Sequence, residues 1–322
     1  MFGFNTILEN PVNYIFNLNH LLLILSVGAF IVALLFIFRG KTEKSRKITM
    51  IITAFVLFIL EIGRIIWKVE YILYTGTKIE EVDWWWNISF QMCAIMTWFT
   101  IITLLLNAFL KKKGKVLNVM NNILFGCAMI GGILTYVYPY FISSYRPIWH
   151  FSNWQTIVTH ALLIFAPIYV VRAKIIEPKY TDLWKPMLGY VLIGSIAGMA
   201  SEFSGNNFAY YYENGLFNYI GLNVPFELSF FATFVGVYIC AIIAYTIAKL
   251  IYKYKEDNIK EVYPYFIFSF IGIILLVLIP LCYPEHPVGN FLAIFSLLPI
   301  IITLTIIFIY EFYKKTRIKA LL

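Results

Sequence analysis

Apolar segments of about 20 residues recur along the whole chain of 322 residues, and they constrain its fold more than any other feature. A segment of this length, folded as an α-helix, crosses the ~30 Å hydrocarbon core of a bilayer. Hydrophobic residues make up 61% of the chain and charged residues only 13%, which excludes a soluble globular fold and a disordered chain. We therefore expect an all-α, polytopic membrane helix bundle, because lipid offers no hydrogen-bond partner to the backbone of an open strand.

Nine segments are long and apolar enough to span the bilayer. We predict transmembrane helices at approximately 20–39, 48–67, 88–109, 121–142, 154–172, 186–203, 225–249, 264–282 and 288–312. The basic residues support this count, because Lys and Arg collect in cytoplasmic loops. Of the 25 Lys and Arg residues, 21 fall in every second connecting segment or in the C-terminal segment. These segments are 39–47, 111–115, 172–185, 249–260 and 314–319.

The alternation of basic segments also predicts the orientation, with the N-terminus outside and the C-terminus in the cytoplasm. We expect a multi-pass protein of the cell (plasma) membrane. Topology explains the positive charge, so we expect no nucleic-acid partner.

The N-terminal segment shows no positively charged region followed by a cleavage site, and we expect no removable signal peptide. The abundance of Ile, Lys, Asn, Tyr and Phe is typical of an AT-rich genome and suggests a bacterial source.

The four cysteines lie in four different predicted helices, at positions 93, 127, 240 and 282. Their spacing fits neither a metal site nor a disulfide framework. We therefore expect no bound metal and no cofactor. Cys127, Cys240 and Cys282 are interpreted as packing residues, because a free cysteine behaves as a small apolar side chain.

Polar side chains inside the spans fall almost entirely in one layer. Placing an ionisable group in a membrane costs free energy, so such residues indicate function. With the predicted orientation, nearly all of them lie in or beside the outer leaflet, and the inner halves of the helices are nearly all apolar apart from Asn107. A site confined to one leaflet suits a lipid substrate. The residues of this layer are His20, Glu61, Arg64, Gln91, Cys93, His160, Glu202, Asn206, Asn207 and Glu227.

Local spacing predicts which of these side chains meet. Glu61 and Arg64 are three residues apart on one helix face and can pair. One face of the third predicted helix should point into the bundle, and it carries Cys93, Thr97, Thr100, Leu104 and Asn107. Gln91 points away from that face and should serve another partner. Structural roles remain open here, as an ion pair for Glu61 with Arg64 and as a helix–helix hydrogen bond for His160.

Several short motifs occur in order along the chain. They are His20, Gly63–Trp67, Ser89–Cys93, Gly131–Leu134 with Pro139, Trp154 with His160, and Gly205–Phe208. Taken together, these motifs resemble the YwaF-like family of integral membrane proteins over approximately residues 10–225. The chain departs from the family pattern at Ser89, where the family has proline, and at Phe208, where it has tyrosine. The family includes human transmembrane protein 164, an acyltransferase that acts on ether phospholipids.

The resemblance implies a seven-helix core over residues 1–251, to which residues 252–322 add a C-terminal pair of helices. It also implies a catalytic cysteine and histidine, which fall on Cys93 and His160. These residues would form a thioester acyl-enzyme from a membrane phospholipid, because a thiol needs a neighbouring base to become a nucleophile.

The remaining residues of the layer have supporting roles in this hypothesis. Arg64, oriented by Glu61, is the expected phosphate ligand. Donors to the developing oxyanion are expected from Gln91, Asn206 or Asn207, and His20 and Glu202 complete the set. A lipid hydrolase with the same site is an alternative. A small-molecule or proton-coupled transporter and a non-catalytic membrane protein are further alternatives.

Overall fold

A computed structural model describes residues 18–39, 42–76, 78, 83–110, 114–137, 142, 146, 148–208 and 226–252. Every extended regular element in these ranges is helical, in agreement with the predicted all-α class. The helices are α1 (Leu18–Ile37), α2 (Glu43–Tyr74), α3 (Trp84–Ile88), α4 (Met92–Phe109), α5 (Lys115–Ile123), α6 (Met129–Val137), α7 (Phe151–Arg172), α8 (Trp184–Ser204) and α9 (Phe226–Tyr252). A π-helical segment, Leu124–Ala128, joins α5 to α6, and a short 3-10 helix, Tyr180–Asp182, precedes α8.

Six helices within the described ranges are long and apolar enough to cross a membrane. They are α1, α2, α4, α7, α8 and the continuous segment Lys115–Val137 that contains α5 and α6. These spans correspond to the first six predicted helices, and α9 corresponds to the seventh. The predicted helices at 264–282 and 288–312 lie outside the described residues. The total of nine helices, the orientation and the domain boundary at 251 therefore stay predictions.

The second span is longer than predicted at both ends. Helix α2 has 32 residues, which at 1.5 Å per residue gives about 48 Å, well beyond the ~30 Å hydrocarbon core. Thr42 caps its N-terminus by accepting a hydrogen bond from the backbone N–H of Ser45 at 3.1 Å. At the other end the helix continues past Trp67 through Lys68 to Tyr74. The predicted end at 67 lies just before the charged residues of this last part, but charged residues do not stop a helix once it leaves the apolar layer.

The third predicted helix is broken near its start. Helix α3 ends at Ile88, and α4 begins only at Met92. Between them Ser89 adopts a φ of 63°, in the left-handed region that an α-helix of L-residues cannot continue through. The break turns the first residues of α4 into a true helix N-terminus in the interior of the protein. From Thr97 onward the predicted inward face is confirmed, because Thr97, Thr100 and Asn107 are buried.

The end of the bundle at which α4 ends and α5 begins, the predicted inner end, is more polar than the sequence indicated. Asn107 of α4 and Asn121 of α5 pair through their amides, with Asn107 Nδ2 donating to Asn121 Oδ1 at 2.6 Å and Asn121 Nδ2 donating back at 3.2 Å. Asn122 is buried beside them and donates to the carbonyl of Asn118. The expectation that Asn107 is the main polar residue of the inner halves was wrong. Helix α5 begins at Lys115, earlier than predicted, which brings these amides inside the bundle.

The described residues form two compact units, one within 1–176 and 195–208 and the other within 177–194 and 209–322. In the first unit α7 is the central helix and packs against α1, α2, α4 and α6. Its middle is buried over most of its circumference, as Leu163 and Val170 show. Gly132 of α6 permits a close approach to α7, since a Cβ there would lie 2.9 Å from the backbone oxygen of His160. In the second unit Lys185 pairs with Asp182 at 2.6 Å.

Candidate functional site

A cavity of about 290 Å³ lies in the first unit between α2, α4 and α7. Both polar and charged side chains line it. Its lining includes Glu61, Arg64 and Lys68 from α2, Cys93 from α4, and Thr156 and His160 from α7. Five of the nine residues predicted to form the site thus meet here, and the fifth is Gln91, which precedes α4.

His160 is held in one tautomer inside this cavity. Its Nδ1 lies 2.7 Å from the backbone oxygen of Thr156, one turn earlier in α7. A carbonyl only accepts hydrogen bonds, so Nδ1 carries the proton and Nε2 presents a lone pair. Nε2 is buried and has no hydrogen-bond partner among the described residues. The donor nitrogen of the ring is therefore occupied, and its basic nitrogen is not used by the described residues.

Cys93 lies in the first turn of α4, half-buried against the same cavity. Gln91 is the residue preceding this helix and provides no side-chain cap, and the first in-helix hydrogen bond runs from Ile95 N–H to Gln91 O. The amide groups of Met92, Cys93 and Ala94 have no acceptor four residues earlier in the helix. Together with the helix dipole, they favour negative charge beside the sulfur. In the described structure no hydrogen bond joins the Cys93 sulfur to His160.

The predicted pairing of Glu61 with Arg64 is confirmed. Arg64 Nε donates to one carboxylate oxygen at 3.0 Å and Nη2 donates to the other at 2.6 Å. Arg64 also binds the backbone of α3, through Nη2 to Ile88 O at 2.8 Å and Nη1 to Asn87 O at 3.3 Å. Four of the five guanidinium N–H groups are thus used within the protein. The pair ties α3 to α2 and leaves Arg64 little capacity to hold a phosphate.

Two further cations line the cavity, and the sequence-based set of site residues did not include them. Lys68 lies one turn beyond Arg64 in α2. Arg146 precedes α7, donates from Nη1 to Ser152 Oγ at 3.3 Å, and lies over the rings of Trp67 and Tyr71 at 4.8 and 5.0 Å. The spacing of four residues between Arg64 and Lys68 was a usable signal for Lys68. No local pattern marked Arg146, because it precedes α7 and lies outside the predicted helix at 154–172.

A comparison with known proteins identifies the family of the chain. The family model of the TMEM164 family matches residues 15–279. The chain belongs to the TMEM164 family. The resemblance predicted from the motifs is thereby confirmed, and so is a multi-pass membrane protein. Neither a curated protein nor a solved structure matches the chain.

Two predicted supporting residues of this TMEM164-family protein lie away from the cavity. His20 is buried at the start of α1, where Nε2 donates to the backbone oxygen of Tyr136 at 2.6 Å. This bond connects α1 to the end of α6. Glu202 is exposed near the end of α8. Neither residue lines the cavity.

The amide residues expected to stabilise an oxyanion make hydrogen bonds within the protein instead. Gln91 lines the cavity, but its Nε2 donates to the backbone oxygen of Asn207 at 3.0 Å. Asn206 Nδ2 donates to the carboxylate of Asp83 at 3.0 Å. Asn206 and Asn207 do not line the cavity. These bonds attach the segment after α8 to the segment before α4, so in this structure the three residues position the Cys93 helix. The side chain of Glu227 is outside the described residues.

Proposed function

We propose that this TMEM164-family protein is a phospholipid acyltransferase in which Cys93 is the nucleophile and His160 the general base. The observation that carries the proposal is the tautomer of His160, whose buried Nε2 lone pair has no partner among the described residues, in a residue that lines the same cavity as Cys93. A buried imidazole nitrogen without a partner costs free energy, so a merely structural histidine would be expected to use it. A base in a cavity with a thiol is the arrangement that covalent acyl transfer needs.

The proposed reaction exchanges one ester for another. The Cys93 thiol gives its proton to His160 Nε2, and the sulfur attacks the ester carbonyl carbon of a phospholipid. The ester C–O bond breaks, the lysophospholipid oxygen takes the proton from His160, and the acyl chain remains on Cys93 as a thioester. The hydroxyl of an acceptor lysophospholipid gives its proton to His160 and attacks the thioester. The C–S bond breaks and the sulfur recovers the proton.

The surroundings of Cys93 supply the electrostatic part of this reaction. The backbone N–H groups in the first turn of α4 point out of the helix N-terminus. They are suited to donate hydrogen bonds to the oxyanion of the tetrahedral intermediate. Lys68 lines the same cavity, and a positive charge there favours a thiolate, whereas the charge of Arg64 is balanced by Glu61. Cys93 and His160 would come into hydrogen-bond reach in the lipid complex, since catalytic hydrogen bonds often tighten only when substrate binds.

The proposal includes the predicted topology. With nine helices and the N-terminus outside, the ends of α2, α4 and α7 that line the cavity face the outer leaflet of the plasma membrane. Ester groups of phospholipids lie at this depth, just below the headgroups. The core of residues 1–251 would hold the whole site, and residues 252–322 would add a pair of helices beside it.

The test is direct detection of the thioester. Purified protein incubated with a phospholipid that carries a labelled acyl chain should gain the label on Cys93, and neutral hydroxylamine should release it. Cys93→Ser should lose this adduct, and His160→Ala should form it about 10²–10⁴-fold more slowly, the usual contribution of a general base. Added imidazole should partly restore His160→Ala, which would not be expected if the residue were only structural.

Matched controls come from the other cysteines. Cys127→Ala and Cys240→Ser should keep the adduct, because neither residue lines the cavity. The product distinguishes transfer from hydrolysis, since water as acceptor yields a free fatty acid and a lysophospholipid yields a new phospholipid. Full lipid-remodelling activity in Cys93→Ser would exclude covalent catalysis by Cys93, whereas no lipid-remodelling activity in the native protein would favour the transporter or non-catalytic alternatives.

A further inference from the structure

The hydroxyl group of Thr159 in α7 is bonded differently from those of other helical threonines. Thr159 is buried and lines the same cavity as Cys93 and His160. Its Oγ1 accepts a hydrogen bond from Nε2 of Gln155 at 3.1 Å, and among the described residues it makes no bond to the backbone oxygen four residues earlier. Six other threonines of the described helices do donate to that backbone oxygen. They are Thr49, Thr97, Thr100, Thr135, Thr156 and Thr246.

The hydrogen of the Thr159 hydroxyl therefore lacks an acceptor in the part of the chain that the structure describes. An amide NH₂ group only donates hydrogen bonds, so Oγ1 acts as the acceptor in the contact with Gln155 and its own hydrogen is left over. Gln155 is buried as well, which keeps bulk water from competing for this contact. A buried donor without an acceptor costs free energy. The occupant of the cavity should therefore supply an acceptor to Thr159.

Thr159 and His160 provide neighbouring polar groups with opposite requirements. His160 Nε2 is a buried acceptor without a partner among the described residues, whereas the Thr159 hydroxyl has a donor left over. Each group is oriented by the residue four positions earlier in α7, His160 by the backbone oxygen of Thr156 at 2.7 Å and Thr159 by the amide of Gln155. Attack of a thiol on an ester has both requirements, since the thiol gives up a proton and the carbonyl oxygen gains negative charge.

We propose that Thr159 is a catalytic residue whose hydroxyl donates a hydrogen bond to the ester carbonyl oxygen of the phospholipid, and that Gln155 is the positioning residue that orients this hydroxyl. The inference rests on the proposed function, because it takes the occupant to be the lipid whose acyl group passes to Cys93. The role expected of Gln91 falls to Thr159, since Gln91 Nε2 donates to the backbone oxygen of Asn207.

The hydroxyl acts on the charge that develops during the reaction. When the sulfur adds to the carbonyl carbon, the electron pair of the C=O bond moves onto the oxygen. Thr159 stabilises this negative charge by its hydrogen bond and keeps its own proton. When the ester C–O bond breaks, the electron pair returns and the C=O bond of the thioester forms.

The rate at which labelled phospholipid acylates Cys93 in the full chain measures this contribution. Thr159→Val replaces the hydroxyl by a methyl group of similar size and should slow acylation by about 10²–10³-fold, the usual contribution of one oxyanion donor. The affinity for the lipid should change by less than about tenfold, because a neutral hydrogen bond to the unreacted carbonyl is weak. Thr159→Ser keeps the hydroxyl and should keep most of the rate. Gln155→Met removes only the orientation of the hydroxyl, so its rate should lie between those of native protein and Thr159→Val.

The matched control is Thr100→Val, which removes another buried hydroxyl. Thr100 does not line the cavity, and its hydroxyl donates to the backbone oxygen of Met96 at 2.6 Å, so the acylation rate should not change. An unchanged rate in Thr159→Val would overturn the inference and leave the proposed function intact. Equally slow acylation in Thr159→Ser and Thr159→Val would also overturn it, because the packing of the side chain and not its hydroxyl would then matter.

Infrared spectroscopy tests the hydrogen bond without requiring the reaction. Cys93→Ala is loaded with one equivalent of phosphatidylethanolamine that is isotopically labelled at its ester carbonyl carbons, in a detergent that has no carbonyl group. A hydrogen-bonded carbonyl absorbs at a lower wavenumber than a free one, so a low-wavenumber component should be present and should disappear when Thr159→Val is added. Its persistence in the double variant would overturn the inference. A component that depends on Thr159, in a protein that forms no thioester, would support the hydrogen bond and refute only the proposed reaction.

Discussion

Removal of Arg64 should expose how much the protein depends on one buried ion pair. The Glu61 side chain is 2% exposed and the Arg64 side chain 15% exposed, so the pair is largely shielded from water. Arg64→Ala removes both bonds to the carboxylate and both bonds to the backbone of α3. The variant therefore strands a carboxylate in a poorly solvated place and detaches the segment that precedes the Cys93 helix.

The expected cost follows from these contacts. Breaking a buried ion pair by removing one partner costs about 3–5 kcal/mol, because the remaining charge is left uncompensated. The freed carbonyl of Ile88 lies at the surface, where water replaces the lost donor, so it should add little. The double variant Glu61→Met with Arg64→Met removes both charges and should be more stable than Arg64→Ala, since no buried charge remains alone.

The assay is the free energy of unfolding in mixed micelles, followed by tryptophan fluorescence. Helix α2 also provides the control, because Glu43 and Lys47 form an exposed pair four residues apart at 3.0 Å. Lys47→Ala should cost no more than about 0.3–0.5 kcal/mol, the usual value for an exposed helix pair. If Arg64→Ala were as mild as Lys47→Ala, the tie between α2 and α3 would not contribute to stability, and the structural role assigned to Arg64 would be refuted.

Three more predictions concern backbone contacts and topology. Gly132→Ala places a Cβ 2.7 Å from Ile164 Cγ1 and 2.9 Å from His160 O. It should therefore cost about 1–3 kcal/mol of unfolding free energy and slow acyl transfer. Gly131→Ala is the control and should do neither, because a Cβ there has nothing within 4 Å. Ser89→Pro restores the residue of the family motif but cannot adopt a φ of 63°, so it should lower unfolding free energy by more than ~1 kcal/mol, whereas Ser89→Gly should be tolerated. In intact cells Lys115→Cys should resist an impermeant maleimide until the membrane is permeabilised, and Lys78→Cys should react at once; the reverse pattern would contradict the predicted orientation.

The transmembrane spans could be predicted because they depend on the composition of each segment and not on how the segments pack. Segment length, apolar content and the side on which Lys and Arg accumulate predict six described spans and the approximate position of α9. The break at Ser89 has a different origin, since a positive φ at serine is imposed by what surrounds the turn. Asn121 was missed for a related reason. Its burial depends on α5 beginning at Lys115, and helix boundaries are the least predictable feature of a sequence.

The candidate site also contains one feature that helix spacing predicts and others that depend on how the helices pack. The partnership of Glu61 with Arg64 follows from helix spacing alone, and this partnership is what removes Arg64 from the expected phosphate site, because a guanidinium bound on two edges has few donors left. Lys68 and Arg146 lie on different segments, and both line a cavity that forms only when α7 packs against α2. In a membrane protein, cations that topology does not explain are therefore worth locating together in the fold before any one of them is assigned a ligand.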